Sequence, residues 1–458
     1  MSGSIARIVD PFGASAATNL TVIDAHHVLV RHFDGWGTSL CWWAHVVGGL
    51  TNRDEYADLA FQQLGLNIVR YNIGGGENPA RSNTMEFRAR IPGFQPEPGK
   101  WDWTADANQR WMLRAAVARG ANHIVAFANS PPFWMTHSES VTGAKRGNED
   151  NLRREFEPAF ADYMAIVMSN LTVLDGVKFD TATPMNEPSA NWWQLGHRQE
   201  GTHMSVGQQM RMINLLRTSM DRHGVRATIV GSEDNDERNT YECVSAYDAL
   251  TLRNVSHIAT HTYHPNASTD LRQLAERSGK PLWVSEYGDG ERTGLRMARR
   301  IRNDIVEKRA QAWIYWQFAD SAGNWGLVWN RLDGRDTSYR KTRKFYVMSQ
   351  FSRFIRPGSQ ILSASDDDSL VAYDRAQQRV IIVAVNDHAT ARDVTYQLKN
   401  MATHSREISS CRTSQQEDVA PLSPTGFTNG IFTVALPAQS VTTFIVSDVA
   451  LAQLPRAR

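Results

Sequence analysis

Thr51-Asn52-Arg53-Asp54-Glu55-Tyr56-Ala57-Asp58-Leu59-Ala60-Phe61-Gln62-Gln63-Leu64-Gly65-Leu66-Asn67-Ile68-Val69-Arg70-Tyr71 holds one helix and one strand in immediate succession. Thr51 can cap a helix that carries Tyr56, Leu59, Ala60 and Leu64 on one face. Gly65 ends that helix, and residues 66–71 read as the strand that follows. Working outward, the same alternation of short apolar runs and amphipathic stretches begins after Gly35. Further strands are expected at residues 36–42, 122–128, 177–184, 227–231, 257–262, 281–285 and 312–318. With residues 66–71 these make eight, the strand number of a parallel (β/α)8 TIM barrel of the α/β class.

Beyond Pro357-Gly358 the texture changes to short strand-like runs at residues 380–385, 431–436 and 441–446, which read as a β-sandwich. Residues 20–30 are also strand-like but precede the barrel, so they are expected to join that sandwich and clamp the two units together. The expected organisation is therefore an N-terminal segment over residues 1–30, a barrel over 31–357 and a C-terminal sandwich over 358–458.

Forty-nine Lys and Arg nearly balance 48 Asp and Glu, so the net charge of +1 gives no reason to expect nucleic acid or an acidic membrane as partner. A neutral ligand fits better, and the 14 Trp suit stacking on sugar rings, although most Trp fill core. Cys41, Cys243 and Cys411 allow at most one bridge and match no zinc ribbon. Met1 to Arg7 lacks the apolar run of a signal peptide, and no stretch is apolar for long enough to cross a bilayer. Location is accordingly argued from substrate: secreted, if a leader precedes this numbering.

The strongest local signal is Thr183-Pro184-Met185-Asn186-Glu187-Pro188, where the fourth barrel strand should end. Its companion is Leu282-Trp283-Val284-Ser285-Glu286-Tyr287-Gly288, at the end of the seventh. Carboxyls at these two strand ends face each other across the barrel mouth, the arrangement that glycosidic bond cleavage needs. One must hold a proton while the other stays ionised. A lone strand-end Glu would be an ordinary carboxylate; the matched pair, with Asn186 before Glu187 and aromatics nearby, argues against that. Trp42, Trp43, Trp134, Trp192, Trp193, Tyr263, Tyr287, Trp316 and Trp325 are candidates for a sugar platform, Trp316 first because the eighth strand ends there. Glu233 and Asp234, after the fifth strand, either bind sugar hydroxyls or sit in an exposed loop, and His261 is read as a hydrogen-bonding wall residue. No Gly-x-Ser-x-Gly elbow is present. His261 and His264 lack a third metal ligand, and Gly74-Gly75-Gly76 is a tight loop without the dinucleotide fingerprint.

Together Phe33-Asp34-Gly35-Trp36-Gly37-Thr38-Ser39-Leu40-Cys41-Trp42-Trp43, Arg70-Tyr71-Asn72-Ile73-Gly74-Gly75-Gly76, Ser130-Pro131-Pro132-Phe133-Trp134-Met135, Asn186-Glu187-Pro188 and Ser285-Glu286-Tyr287-Gly288-Asp289-Gly290 resemble glycoside hydrolase family 30. The likeness covers nearly the whole chain. Within the family, Trp42-Trp43, Asn191-Trp192-Trp193 and Gln199-Glu200-Gly201 are most similar to the endo-β-1,6-galactanases. The resemblance implies a retaining attack on β-1,6-linked galactan, including side chains of arabinogalactan proteins, without metal or organic cofactor. It matches Asn186-Glu187 to the acid/base pair, Glu286 to the nucleophile and Arg70 to an arginine beneath the nucleophile, where a guanidinium favours the ionised carboxyl. A monomer is expected. Other activities of the family (β-1,6-glucanase, xylanase or glucosylceramidase-like) and a non-catalytic sugar-binding barrel are the alternatives.

Overall fold

The computed structural model describes residues 19–81, 83–264 and 269–452. Met1 to Arg7 and the rest of the first 18 residues, together with residues 453–458 at the end of the expected sandwich, lie outside the described residues. Strand β1 (Asn19–Val30) precedes a closed parallel barrel. Its strands are β2 (Gly35–Ser39), β3 (Ile68–Asn72), β4 (His123–Phe127), β5 (Thr181–Thr183), β6 (Thr228–Asp234), β7 (Val255–His261), β8 (Leu282–Tyr287) and β9 (Ala312–Gln317), and β9 returns to pair with β2. The apolar runs of the sequence follow from this closure, because each strand is covered on both faces. Ile68, Val125, Val230, Ala259, Trp283, Ala312 and Ile314 form one core cluster, while the neighbouring side chains of the same strands pack in the larger core.

In the opening unit the helix starts later than the sequence suggests. Asn52, not Thr51, precedes the helix Arg53–Ala57, which widens into a π-helical stretch, Asp58–Gln63, before Gly65 turns the chain at φ +65°. Tyr56, Leu59, Ala60 and Leu64 are buried as expected of one apolar face. β3 begins at Ile68 rather than Leu66 because Asn67 has another task. Its Oδ1 accepts from Trp36 N at 3.0 Å, and its Nδ2 donates to Asp34 O and Asn122 Oδ1, each at 3.0 Å, tying three segments at the barrel floor. Gly35, at φ +130°, is needed there: a Cβ would meet Asn67 Oδ1 at 1.9 Å.

Most of the C-terminal strands and β1 form one ten-stranded sheet, while Met401–Thr403 and Val449–Leu451 pair as a small sheet of their own. β1 runs parallel to Arg392–Lys399 over its first half and antiparallel to Gln360–Ala364, with register shifts between Asp24 and Val28 and between Val28 and Val30. These irregularities fall where the long strand changes partners, and they let the sheet fold over on itself. Strands far apart in hydrogen-bond order then meet face to face. The Phe432 ring lies 5.8 Å from Phe444, and Tyr396 lies 6.1 Å from Phe444. Two packed layers result, with β1 shared between them.

The other face of this sheet is built into the barrel core. Ile361, Leu370, Ala372, Ile381, Val383, Val385 and Val441 belong to the same buried cluster as the barrel helices. Gln350, on the helix Arg343–Ser352, accepts from Thr443 Oγ1 at 2.6 Å and donates to Thr413 Oγ1 at 2.9 Å. Arg299 pairs with Asp368 at 2.6 Å and Asp387 at 2.7 Å. At ~1.5 kcal/mol or more per buried apolar side chain, removing that cover costs on the order of 10 kcal/mol, comparable with the whole stability of a domain. A fragment holding only residues 31–357 is therefore expected to be insoluble or unfolded by far-UV circular dichroism. A soluble, fully active fragment would contradict this. Among the described residues no helix is long and apolar enough to cross a membrane, and all three cysteines are free.

Candidate active site

Glu187 follows β5 and Glu286 lies near the end of β8, so both carboxyls sit at the C-terminal mouth of the barrel. One carboxylate oxygen of each, and a ring nitrogen of His261 at the end of β7, lie within 4.8 Å of one another. Arg70, on β3 and wholly buried, donates from Nη1 to Glu286 Oε2 at 2.6 Å and to Ser39 Oγ at 3.0 Å. From Nη2 it donates to Asn186 Oδ1 at 3.1 Å and Glu233 Oε2 at 3.3 Å. Tyr263 donates its hydroxyl to Glu286 Oε1 at 2.8 Å. Both oxygens of Glu286 are thus held from beneath and from the side.

Glu187 and Glu233 adopt left-handed backbone conformations, at φ +48° and +64°. For a non-glycine residue that costs about 1–2 kcal/mol, and it persists only where neighbours over-determine it. Here Glu187 N donates to Glu233 O at 2.8 Å, and Trp193 Nε1 donates to Glu187 O at 3.0 Å.

Burial pushes the Glu187 carboxyl above its ordinary value; His261 offsets this in part, and the charge of Glu286 adds to the rise. Burial alone would lower His261, but the charge of Glu286 and the contacts with Glu187 and Glu233 push its imidazole up to about 10. Burial would raise Glu233, yet the charge of Arg70, then His261 and the Ser285 hydroxyl, bring it below the usual carboxylate value. His261 faces Glu187 through Nδ1 at 3.1 Å and Glu233 through Nε2 at 3.5 Å. One oxygen of each glutamate and a His261 ring nitrogen lie close enough together to share a cation. The arrangement places a carboxyl inclined to keep its proton beside a carboxylate clamped by a guanidinium, which suits acid and nucleophile duties on one bond.

Of the aromatic candidates, Trp42, Tyr263 and Trp316, with Trp192, Trp193 and Trp325, line the cleft around the two glutamates, as does Asn186. Trp42 and Trp316 meet edge to face at 5.0 Å and 88°. Four expected sugar contacts, Trp43, Trp134, Tyr287 and Glu233, do not border this cleft. Trp43 is fully buried, donating to Ser39 O at 2.7 Å and packing on Phe318. Trp134 turns to Gln95 O at 2.9 Å and to the Phe156 ring. Tyr287 follows Glu286 in an extended strand, so it points to the opposite face, against Trp313. Glu233 is no loop residue: β6 runs on to Asp234, and the Glu233 carboxylate is enclosed by Arg70, His261 and Ser285 Oγ, the last at 2.6 Å. Arg70 and His261 likewise support the glutamates from within and are fully buried. Sequence reasoning missed Arg88, Gln317 and Asp320, which border the cleft. Gln317, next to Trp316, was within reach of the strand-end argument; Arg88 lies in a single 3-10 turn and Asp320 in the two-residue strand Ala319–Asp320, both too short to carry a periodic signal.

Glu200 is a buried carboxyl behind this mouth. It accepts from Gly75 N at 2.9 Å and from Asn72 Nδ2 at 3.0 Å, holding the glycine loop against β3. Gly75 must be glycine, since a Cβ would meet Pro131 O at 2.6 Å. Burial pushes Glu200 up to about 8, from an ordinary 4.5. A raised carboxyl binds its proton more tightly folded than unfolded, so its contribution to stability is complete at low pH and lost as pH rises towards that value. The melting temperature is expected to fall between about pH 5 and about pH 8 more steeply for the wild type than for Glu200→Gln, which cannot ionise. Parallel slopes in scanning calorimetry would show that Glu200 ionises without cost.

Comparison with known proteins gives the family and the fold. The model of O-glycosyl hydrolase family 30 matches residues 22–275. An endo-β-1,6-galactanase from Hypocrea rufa is 32% identical over 452 residues, spanning 92% of this chain and 93% of that protein. Among solved structures, a conserved exported protein from Bacteroides fragilis superposes with a TM-score of 0.81 at 21% identity, over 93% of this chain and 100% of the other. A family 30 subfamily 8 xylanase from Clostridium acetobutylicum does so at 0.73 and 22%, over 94% and 100%. At such identities these two speak for the fold, the barrel with its sheet-rich companion, whereas the family match and the galactanase relative reach through the sequence itself. The chain belongs to glycoside hydrolase family 30 and is an O-glycosyl hydrolase.

Proposed function

We propose that this hydrolase is a retaining endo-β-1,6-galactanase, acting on β-1,6-linked galactan including the side chains of arabinogalactan proteins. Glu286 is the nucleophile and Glu187 the acid/base. The observation that supports the mechanism is the close approach of the two carboxyls, one oxygen of each lying within 4.8 Å of the other. Retaining pairs stand about 5–5.5 Å apart, whereas inverting pairs need about 6.5–9.5 Å to admit a water. In the first step Glu286 attacks the anomeric carbon while Glu187 gives its proton to the leaving oxygen. In the second, Glu187 takes a proton from water, which displaces Glu286. Arg70 and Tyr263 orient the attacking carboxylate through both of its oxygens.

The sugar is inferred from the galactanase relative and from the Trp42 and Trp192-Trp193 motifs that line the cleft. A polysaccharide substrate of this kind lies outside the cell, so secretion goes with the proposal, as do action as a monomer and independence of a cofactor. Incubation with β-1,6-galactan, β-1,6-glucan and xylan, followed by separation of the products, tests it. A ladder of galacto-oligosaccharides is expected. Cleavage of glucan or xylan alone would overturn the choice of sugar, and release of a single short product from chain ends would overturn endo action.

A further inference from the structure

Arg88 belongs to a single 3-10 turn, Phe87–Ala89, in the loop after β3, yet its side chain is only 13% exposed. Nε donates to Glu86 Oε2 at 3.0 Å, and Nη1 donates to Asp320 Oδ1 at 2.6 Å and Gln317 Oε1 at 3.3 Å. Its remaining nitrogen, Nη2, has no hydrogen bond among the described residues. The guanidinium carbon stands 5.5 Å from the centre of the Trp42 ring, and Arg88, Gln317 and Asp320 border the same cleft as Glu187 and Glu286. Asp320 is 3% exposed and is itself fixed: Oδ1 also accepts from Ala322 N at 2.9 Å, and Oδ2 from Gln317 Nε2 at 3.2 Å. A cation locked on three sides therefore offers one free edge, and a clamped carboxylate stands beside it, at the rim of an aromatic sugar site.

We propose that Arg88 is a specificity-determining residue, presenting its free N–H edge to hydroxyls of the hexose bound against Trp42 and Trp316, with Asp320 as the residue that positions it. The identity of that hexose rests on the galactanase reading. Aromatic faces supply stacking area to a sugar ring but no directed donor to a hydroxyl. A donor whose direction is fixed distinguishes epimers, since a hydroxyl turned the other way leaves a partly buried charged group unmatched. Galactose and glucose differ only in the direction of one hydroxyl.

The test compares wild type, Arg88→Lys, Arg88→Gln and Asp320→Asn on β-1,6-galacto- and β-1,6-gluco-oligosaccharides, with melting temperatures to confirm folding. Lysine keeps a cation for Asp320 but loses the rigid fork. We expect Arg88→Lys to lower kcat/KM on the preferred sugar by about 30–100-fold, mainly through KM, and to shrink the ratio between the two sugars about tenfold. Arg88→Gln should match or exceed this, and Asp320→Asn should act in the same direction more weakly. Equal losses on both sugars at an unchanged ratio, or wild-type kinetics, would overturn the proposal and leave Arg88 a wall of the cleft. If the wild type prefers the gluco series, the galactanase reading fails, and a shrinking ratio in that direction still supports the role of Arg88.

Discussion

Glu286→Gln is expected to abolish turnover of every glycoside, natural or activated, with kcat falling on the order of 10⁵-fold or more. An amide cannot form the covalent glycosyl intermediate, and no neighbour can replace it: Glu233 is enclosed by Arg70, His261 and Ser285. The fold should survive, because Gln can still accept from Arg70 through its one amide oxygen and turn its NH2 to the Tyr263 hydroxyl, while Arg70 keeps its ion pair with Glu233. Circular dichroism and melting temperature separate loss of chemistry from loss of structure. A folded variant that keeps more than about one hundredth of wild-type kcat on an activated substrate would remove Glu286 from the nucleophile role.

Glu187→Ala should behave differently on different substrates. On galactan, where the leaving oxygen must be protonated, kcat should drop by about 10²–10⁴-fold. Aryl glycosides with good leaving groups need no proton in the first step, so the glycosyl-enzyme should form and accumulate. Added azide should then enter the space vacated by the carboxyl, speed turnover and yield a β-glycosyl azide. The pH profile gives an independent readout. Glu187 must be protonated for the first step, and burial raises its pKa, so wild-type activity on galactan should persist above the ordinary carboxylate range and fall as pH rises through the raised value. That limb should vanish in Glu187→Ala acting on an aryl glycoside. An azide of α configuration, or a first-formed product of inverted configuration, would overturn the retaining pair.

Much of this was legible in the chain before any coordinates. The period-two and helical patterns are local properties, so eight strands with crossovers, Glu187 after the fourth barrel strand, Glu286 near the end of the seventh and a strand-rich tail all follow from short windows of sequence. Facing is another matter. Trp42 lines the cleft and Trp43 is core, while Trp316 lines it and Tyr287 does not, although all four stand at or just beyond strand ends. Register shifts between Thr38 and Ser39 and between Val284 and Tyr287 interrupt the count by which facing would be assigned. The sheet that folds over at β1, the reassignment of Glu233 and the free state of the cysteines depend on partners remote in sequence. Arg88 and Asp320 are 232 residues apart, and no local preference records that they will meet. The sequence alone determined the elements and which strand ends carry the paired glutamates, because backbone conformation and burial period are set by near neighbours. Which side chains border the cleft was decided only by tertiary structure, because barrel closure and loop packing bring together groups that no short window contains.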